Sequence, residues 1–251
     1  MNEMKRLLSF VRRAADDYNM ISDGDKIAVG VSGGKDSLTL LEVLAEMRRF
    51  YPKKYEICAI TVDMGFQGSD FSEIEEFCRR INVEYKVIKT EIAKIIFDVR
   101  KESNPCSLCA KMRRGSLHAA AQELGCNKVA LGHHYDDAVE TFMMNLFFEG
   151  RLGCFSPVTY LSNRQITLIR PMIYAQEKDV MYFVRKRTLP IVISPCPEDH
   201  ATERENMKQL LSDLEKNNKG LKHRIFTAMC RGEIDGFKKA GIYPDAGEPN
   251  D

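Results

Sequence analysis

An apolar run at residues 26–30 passes directly into Val31-Ser32-Gly33-Gly34-Lys35-Asp36-Ser37, and a helical run at 38–47 follows at once. A strand that feeds a glycine turn and then a helix makes a cradle for an anion. Gly33 and Gly34 let the backbone turn tightly and approach a ligand closely. The N–H groups of the loop and of the helix start point at that ligand, where the helix carries about half a positive charge. Phosphate is the natural guest. The string is neither G-x-x-x-x-G-K-[ST] nor G-x-G-x-x-G, so the common nucleoside-triphosphatase loop and the dinucleotide fingerprint are both unsupported.

The alternation continues along the chain. Strands are expected at 26–31, 55–62, 84–89, 128–131 and 166–170, and helices at 37–50, 69–81, 111–124 and 136–148. Strands spaced by helices argue for an α/β fold with a parallel, doubly wound, Rossmann-like sheet covered on both faces. Ligands in such sheets bind at the carboxyl ends of the strands, at a switch in strand order. Residues 32–34, Asp63 and residues 132–134 each stand at a strand end, so all three are expected to face one crevice. An amphipathic helix with Leu7, Leu8, Phe10, Val11 and Ala14 inward precedes this core. Helices at 177–187, 202–217 and 221–231 follow it, with Thr202 and Glu205 in capping-box spacing. The expected division is an N-terminal helix (1–24), a nucleotide-binding core (25–175), a helical C-terminal region (176–242) packed on it, and a tail (243–251) that frays.

Composition bounds the class. Of 251 residues, 44% are hydrophobic and 29% charged, the profile of a globular protein. No apolar run approaches the roughly 20 residues of a membrane span, and residues 1–18 lack the apolar core of a signal peptide. A cytoplasmic location and no membrane partner are expected. A net charge of +1 argues against a strongly basic nucleic-acid binder and leaves room for local patches such as Arg185-Lys186-Arg187. The eight cysteines should stay reduced in that compartment. Cys58, Cys78 and Cys126 read as small buried hydrophobes.

Pro105-Cys106-Ser107-Leu108-Cys109 is different. A C-x-x-C unit serves a redox disulfide, half of a zinc site, or part of an iron–sulfur site. No second C-x-x-C completes a four-cysteine zinc site, and the pair lies too deep in the chain for a thioredoxin-like motif.

Four segments carry a resemblance. Ser-Gly-Gly-Lys-Asp-Ser at a strand end resembles the pyrophosphate loop of the ATP-pyrophosphatase (PP-loop) superfamily, whose members adenylate a carbonyl oxygen. Residues 105–114 are similar to the C-x-x-C-x-x-x-R-R segment of iron–sulfur-dependent tRNA thiolation enzymes, and residues 132–141 to their G-H-x-x-D-D-x-x-E-T. Arg170-Pro171-Met172 with Glu177-Lys178-Asp179 is similar to R-P-L-x-x-x-x-E-K-D, and Ser194-Pro195-Cys196 with Arg204 completes the series. Over about residues 11–214 the chain resembles the tRNA 2-thiocytidine synthetase family.

The resemblance implies an adenine nucleotide alpha hydrolase-like fold, ATP, Mg²⁺ and a [4Fe–4S] cluster, and transfer of sulfur to a tRNA base. It implies that Val31, Ser32, Gly33, Gly34, Asp36 and Ser37, with Asp63, Gly132 and His133, hold the nucleotide. Asp36 would ligate magnesium directly or indirectly, Lys35 and Arg114 would neutralise phosphate, and Asp137 would act as general base or magnesium partner. Cys106, Cys109 and Cys196 fall on the three cluster ligands, with zinc on the same cysteines as the alternative. The implied sulfur source is a cysteine desulfurase or inorganic sulfide, and the implied assembly a homodimer. No zinc-finger block precedes the loop, so uridine-thiolating relatives that carry one fit poorly. Two other readings stay open. One is an ATP pyrophosphatase using ammonia or an amine, which has no use for the three cysteines. The other is a non-catalytic sulfur carrier that binds nucleotide and cluster.

Overall fold

The structure, a computed structural model, describes residues 3–100, 105–192, Cys196 and 203–238. Thr202, Ser194, Pro195 and the 243–251 tail lie outside the described residues. Helix α1 (Glu3–Asp17) leads into β1 (Asp25–Gly30), α2 (Lys35–Met47), β2 (Tyr55–Asp63), α3 (Ser72–Arg80) and β3 (Glu84–Lys89). A π-helical turn at Lys94–Arg100 and α4 (Pro105–Glu123) precede β4 (Lys128–Ala130) and α5 (Tyr135–Phe148). The hairpin β5 (Val158–Leu161) and β6 (Ile166–Ile169) comes next, then α6 (Glu177–Lys186), α7 (Glu203–Asn217) and α8 (Leu221–Arg231).

The strands form one sheet in the order β3-β2-β1-β4-β6-β5. Side chains alternate across it as the two-residue period of a strand requires. Ile27 and Val29 of β1, with Ile57 and Ala59 of β2, point into one core. Ala28, Cys58 and Ile60 point into the other, where Leu117, Ala120 and Ala121 of α4 cover them. The first core is the larger and takes Leu7 and Val11 of α1, Leu41 and Leu44 of α2, Val139 of α5, Phe183 of α6 and Phe226 of α8. Leu7, Val11 and Ala14 are fully inside, as the periodicity predicts, while Leu8 and Phe10 only rest against that core.

The order reverses between β1 and β4. From β1 the chain builds β2 and β3 on one side, then crosses to start β4 on the other. That is the switch point where ligands bind in open α/β sheets. The carboxyl ends of β2, β1 and β4 are neighbours there, so Asp63, residues 32–37 and residues 132–134 share one crevice.

Three differences from expectation bear on the sheet and the site, each with a local reason. Strand β5 was not expected, and it pairs antiparallel with β6, so the sheet is parallel over five strands and closes on an antiparallel edge. Residues 162–165 can make a hairpin, with Gln165 at φ +50°, but are too short for a parallel crossover. Helix α4 begins at Pro105 instead of 111. Proline suits the first helical position, where its ring presets φ and its missing N–H is no loss. Helix α2 begins at Lys35, and its N-cap, Gly34, supplies no side-chain acceptor. The first-turn N–H groups of α2 are thus left for another partner. At the opposite end of the sheet, Asp25 and Lys128 form a buried ion pair at 2.6 Å, with Asn127 donating to the second Asp25 oxygen. No helix among the described residues is long and apolar enough to cross a membrane.

Candidate active site

The loop after β1 is braced from within. The Ser32 amide donates to Ser37 Oγ at 3.2 Å, the two serine hydroxyls lie 3.3 Å apart, and Ser37 Oγ donates to the Gly34 carbonyl at 2.9 Å. Its curve is therefore built by the chain itself. Gly33 sits at φ +85°, where a side chain is strained. Gly132, just past β4, packs so closely that a Cβ there would stand 3.1 Å from the Asp36 carbonyl carbon and the Ser37 nitrogen. Glycine is what lets the two strand ends meet.

From β4 the chain turns into α5 through His133 and His134. His134 is the N-cap: its Nδ1 accepts from the Asp137 amide at 3.4 Å, and Asp137 Oδ2 accepts from the His134 amide at 2.8 Å. Its Nε2 lies 3.7 Å from Asp36 Oδ1, so the starts of α2 and α5 face each other. Asp137 also meets Arg204 of α7 at 3.4 Å, so both of its oxygens are engaged. His133 packs against Phe155, the rings tilted by 36° with centroids 4.9 Å apart. Burial, reinforced by Arg170, pushes its pKa down to about 4, which keeps it neutral near pH 7. Its Nδ1 is buried with no hydrogen-bond partner, the condition of a group that a ligand or a water completes.

Charged groups from five helices close the crevice. Lys35 Nζ lies 2.8 Å from Asp36 and 3.4 Å from Glu177 of α6. Burial works against the Lys35 charge, but Asp36 and Glu177 outweigh it and hold its pKa up. Lys208 of α7 meets the same Glu177 oxygen at 2.8 Å. Asp136 accepts from Lys222 Nζ at 2.8 Å and from the Glu177 amide at 2.7 Å. Arg204 also reaches Glu140 at 3.7 Å and donates to Thr141 Oγ1 at 3.1 Å. Burial, then the Asp137 charge, pushes Glu140 up to about 7.

The cysteines flank this crevice. Asp63 Oδ1 accepts from the Gly65 amide at 2.9 Å, and the next residue after Asp63, Met64, receives the Cys109 thiol at 3.8 Å. Cys106 and Cys109 stand in the first turns of α4. Burial raises the Cys109 pKa, Arg113 opposes it, and the thiols of Cys196 and Cys106 raise it further. All three sulfurs are thus electrostatic neighbours, and none of the three is in a disulfide. Among the described residues no three His, Cys, Asp or Glu side chains stand in metal-holding geometry. The donor set itself, three soft thiols, fits an iron–sulfur cluster or zinc. Magnesium needs only one or two carboxylates beside phosphate oxygens, a role Asp36 fits. Toward Cys196, Val192 donates its amide to the Gly33 carbonyl at 3.0 Å. Arg114 stands apart from the lysines: it is exposed on α4, and its Nε donates to the Ala110 carbonyl of its own helix.

Residues 5–214 match the PP-loop domain family. The chain belongs to the PP-loop family. Among curated relatives, the tRNA-cytidine(32) 2-sulfurtransferase of Geobacter sulfurreducens is 42% identical over 228 residues, which cover 90% of this chain and 89% of the relative. The protein of the same name from Syntrophotalea carbinolica is 41% identical over 228 residues, 90% of this chain and 88% of its own. The structure of the U34-tRNA thiolase NcsA from Methanococcus maripaludis with its [4Fe–4S] cluster superposes with a TM-score of 0.74 at 28% identity, covering 89% of this chain and 77% of that one. An NH3-dependent NAD synthetase from Campylobacter jejuni, at 15% identity and a TM-score of 0.50, shares the fold alone.

In this PP-loop protein the expected residues 31–37, Asp63, Gly132, His133 and Asp137 do gather at one sheet edge. Several groups there were not singled out. His134, three residues before Asp137, carries the capping-box spacing with histidine in the usual serine place, so its signal was present. Glu177 and Arg204 lie in the quoted motifs without a role. Lys208 and Lys222 carry no local signal, because what brings them in is the packing of α7 and α8.

Proposed function

We propose that the chain is an ATP-dependent tRNA sulfurtransferase that replaces the 2-oxo group of cytidine 32 with sulfur. Its curated relatives and its PP-loop membership support the reading. One observation carries it: the backbone leading to Cys196 is hydrogen-bonded, through Val192, to Gly33 of the phosphate loop. That bond ties the chain four residues before Cys196 to the loop that would hold ATP.

In this reading the base carbonyl oxygen attacks the α-phosphorus of ATP, and pyrophosphate leaves. The base then carries AMP on that oxygen. Sulfur bonds to the activated carbon, and AMP departs with the former carbonyl oxygen. Most of the protein's contribution is positioning and charge neutralisation. The amides of residues 32–37 and Lys35 hold the pyrophosphate end, and Asp36 takes the Mg²⁺ that accompanies it. Gly132 lets the end of β4 close against the backbone of the phosphate loop, and His133 Nδ1 gives the nucleotide a neutral hydrogen-bonding group. Asp137, held by Arg204 and the His134 amide, serves as general base or magnesium partner. A [4Fe–4S] cluster on Cys106, Cys109 and Cys196 supplies the sulfur when bound, because three thiolates leave one iron without a protein ligand. Residues 25–175 act as the ATP-pyrophosphatase unit, with 1–24 and 176–242 packed on it. A cysteine desulfurase or inorganic sulfide recharges the site, and the working form is a cytoplasmic homodimer.

The test is mass spectrometry of tRNA nucleosides from cells with and without the protein. Loss of 2-thiocytidine on deletion and its return with the wild-type chain are expected. Unchanged 2-thiocytidine in the deletion sinks the reading.

A further inference from the structure

Two ammonium groups converge on one carboxylate oxygen in the crevice. Glu177 Oε1 accepts from Lys35 at 3.4 Å and from Lys208 at 2.8 Å. Lys35 belongs to the loop at residues 32–37, whereas Lys208 arrives from α7. The rotation of α7 is set by Met207 and Leu211, which are buried in the large core. That leaves Arg204 and Lys208, one turn apart, on the crevice side, where Arg204 meets Asp137 and Glu140.

Lys35 has Asp36 as its nearer partner at 2.8 Å, so Glu177 is the shared carboxylate and the one that holds Lys208. Like charges held on a single oxygen repel, and an arriving polyphosphate offers each ammonium its own oxygens. A lysine suits such an exchange, being a point charge on a flexible stem with rotatable donors. Lys208 is 38% exposed at its side chain, so a ligand can reach it. Burial opposes its charge, but Glu177 raises its pKa and keeps it an ammonium.

We propose that Lys208 is a second phosphate-contacting cation of the ATP site, with Glu177 and the polyphosphate competing for its ammonium group. The proposal rests on the reading of residues 32–37 as an ATP loop. It makes α7, the helix that follows the Cys196 segment, a direct reporter of bound nucleotide.

The experiment is calorimetric titration of the full chain with α,β-methylene-ATP plus Mg²⁺, and separately with adenosine. Lys208→Met should weaken the triphosphate by about tenfold, the worth of one charge-assisted hydrogen bond, and leave adenosine unchanged. Lys208→Arg should recover most of the loss. Glu177→Gln should tighten the triphosphate, because it frees Lys208 and leaves Lys35 with Asp36 alone. A merely structural ion pair predicts the opposite: Lys208→Met and Glu177→Gln would weaken binding alike, and adenosine would weaken with the triphosphate. That result, or Lys208→Met binding like the wild type, overturns the proposal while the ATP reading stands. A wild-type chain that binds no triphosphate overturns both.

Discussion

A Cβ on Gly33 would stand 3.0 Å from Val192 Cβ. The phosphate loop and the strand of chain above it are therefore in contact with no space for a methyl group, and Gly33 also holds φ +85°. Gly33→Ala meets both obstacles. The left-handed backbone costs about 1–2 kcal/mol, and Val192 must move. Nucleotide titration should show at least about a tenfold loss of ATP affinity, with the helical circular dichroism retained. Val192→Ala in the same chain should restore part of it. An alanine variant that binds ATP normally would refute this account of the loop.

Replacing Cys196 by alanine separates the two halves of the site. Anaerobically prepared Cys196→Ala should lose the visible absorbance of the cluster and keep its ATP affinity within about twofold. Cys78→Ala, a change at a thiol fully buried in the large core, should keep the absorbance. Survival of the cluster in Cys196→Ala means the ligand assignment is wrong.

Glu140 gives the chain a signed pH dependence. Its carboxyl is raised from 4.5 to about 7, chiefly by burial and then by Asp137. The folded chain thus binds a proton that the unfolded chain has released between those values. That stability is complete below about pH 4.5 and is lost as pH rises through 7. Discounted for the half-exposed Arg204 facing it, the loss is on the order of 2 kcal/mol. Urea denaturation at pH 5 and pH 8 should show wild type falling more steeply than Glu140→Gln. Parallel slopes would contradict the assignment.

The buried pair Asp25–Lys128 supports stability only while both partners remain. Lys128→Met leaves the Asp25 carboxylate, 4% exposed, with Asn127 and the Ser22 amide alone. The expected cost is about 3–5 kcal/mol in denaturant unfolding. Lying at the end of the sheet away from the crevice, the change should leave the ATP affinity of the folded fraction intact. A cost under about 1 kcal/mol would mean the pair is solvated.

Much of the site was legible because its signals are local. A glycine turn between a strand and a helix needs only neighbouring residues, as do a proline-led C-x-x-C and the His-x-x-Asp cap of α5. Errors came where a local signal was ambiguous. The helix was expected from residue 111, yet it starts at Pro105 and carries Cys106 and Cys109. Strand β5 was missed because an edge strand of four half-exposed residues shows little alternation to read.

The parallel sheet and a crevice at its carboxyl ends followed from alternating periods, because strands linked by helices lie parallel and their polar ends fall on one edge; the strand order itself came with the tertiary structure. The anion cradle of residues 31–37 came from residue types, whereas the reading of Cys106, Cys109 and Cys196 as cluster ligands came from the family resemblance. Which charges meet in the crevice came from neither. Lys222 pairs with Asp136 across 86 residues, and Arg204 with Asp137 across 67. No pattern along the chain encodes such pairs, since they form only when the apolar faces of α7 and α8 find the core. Tertiary packing alone decided that Glu177 is shared by two lysines, and that Val192 rests on Gly33.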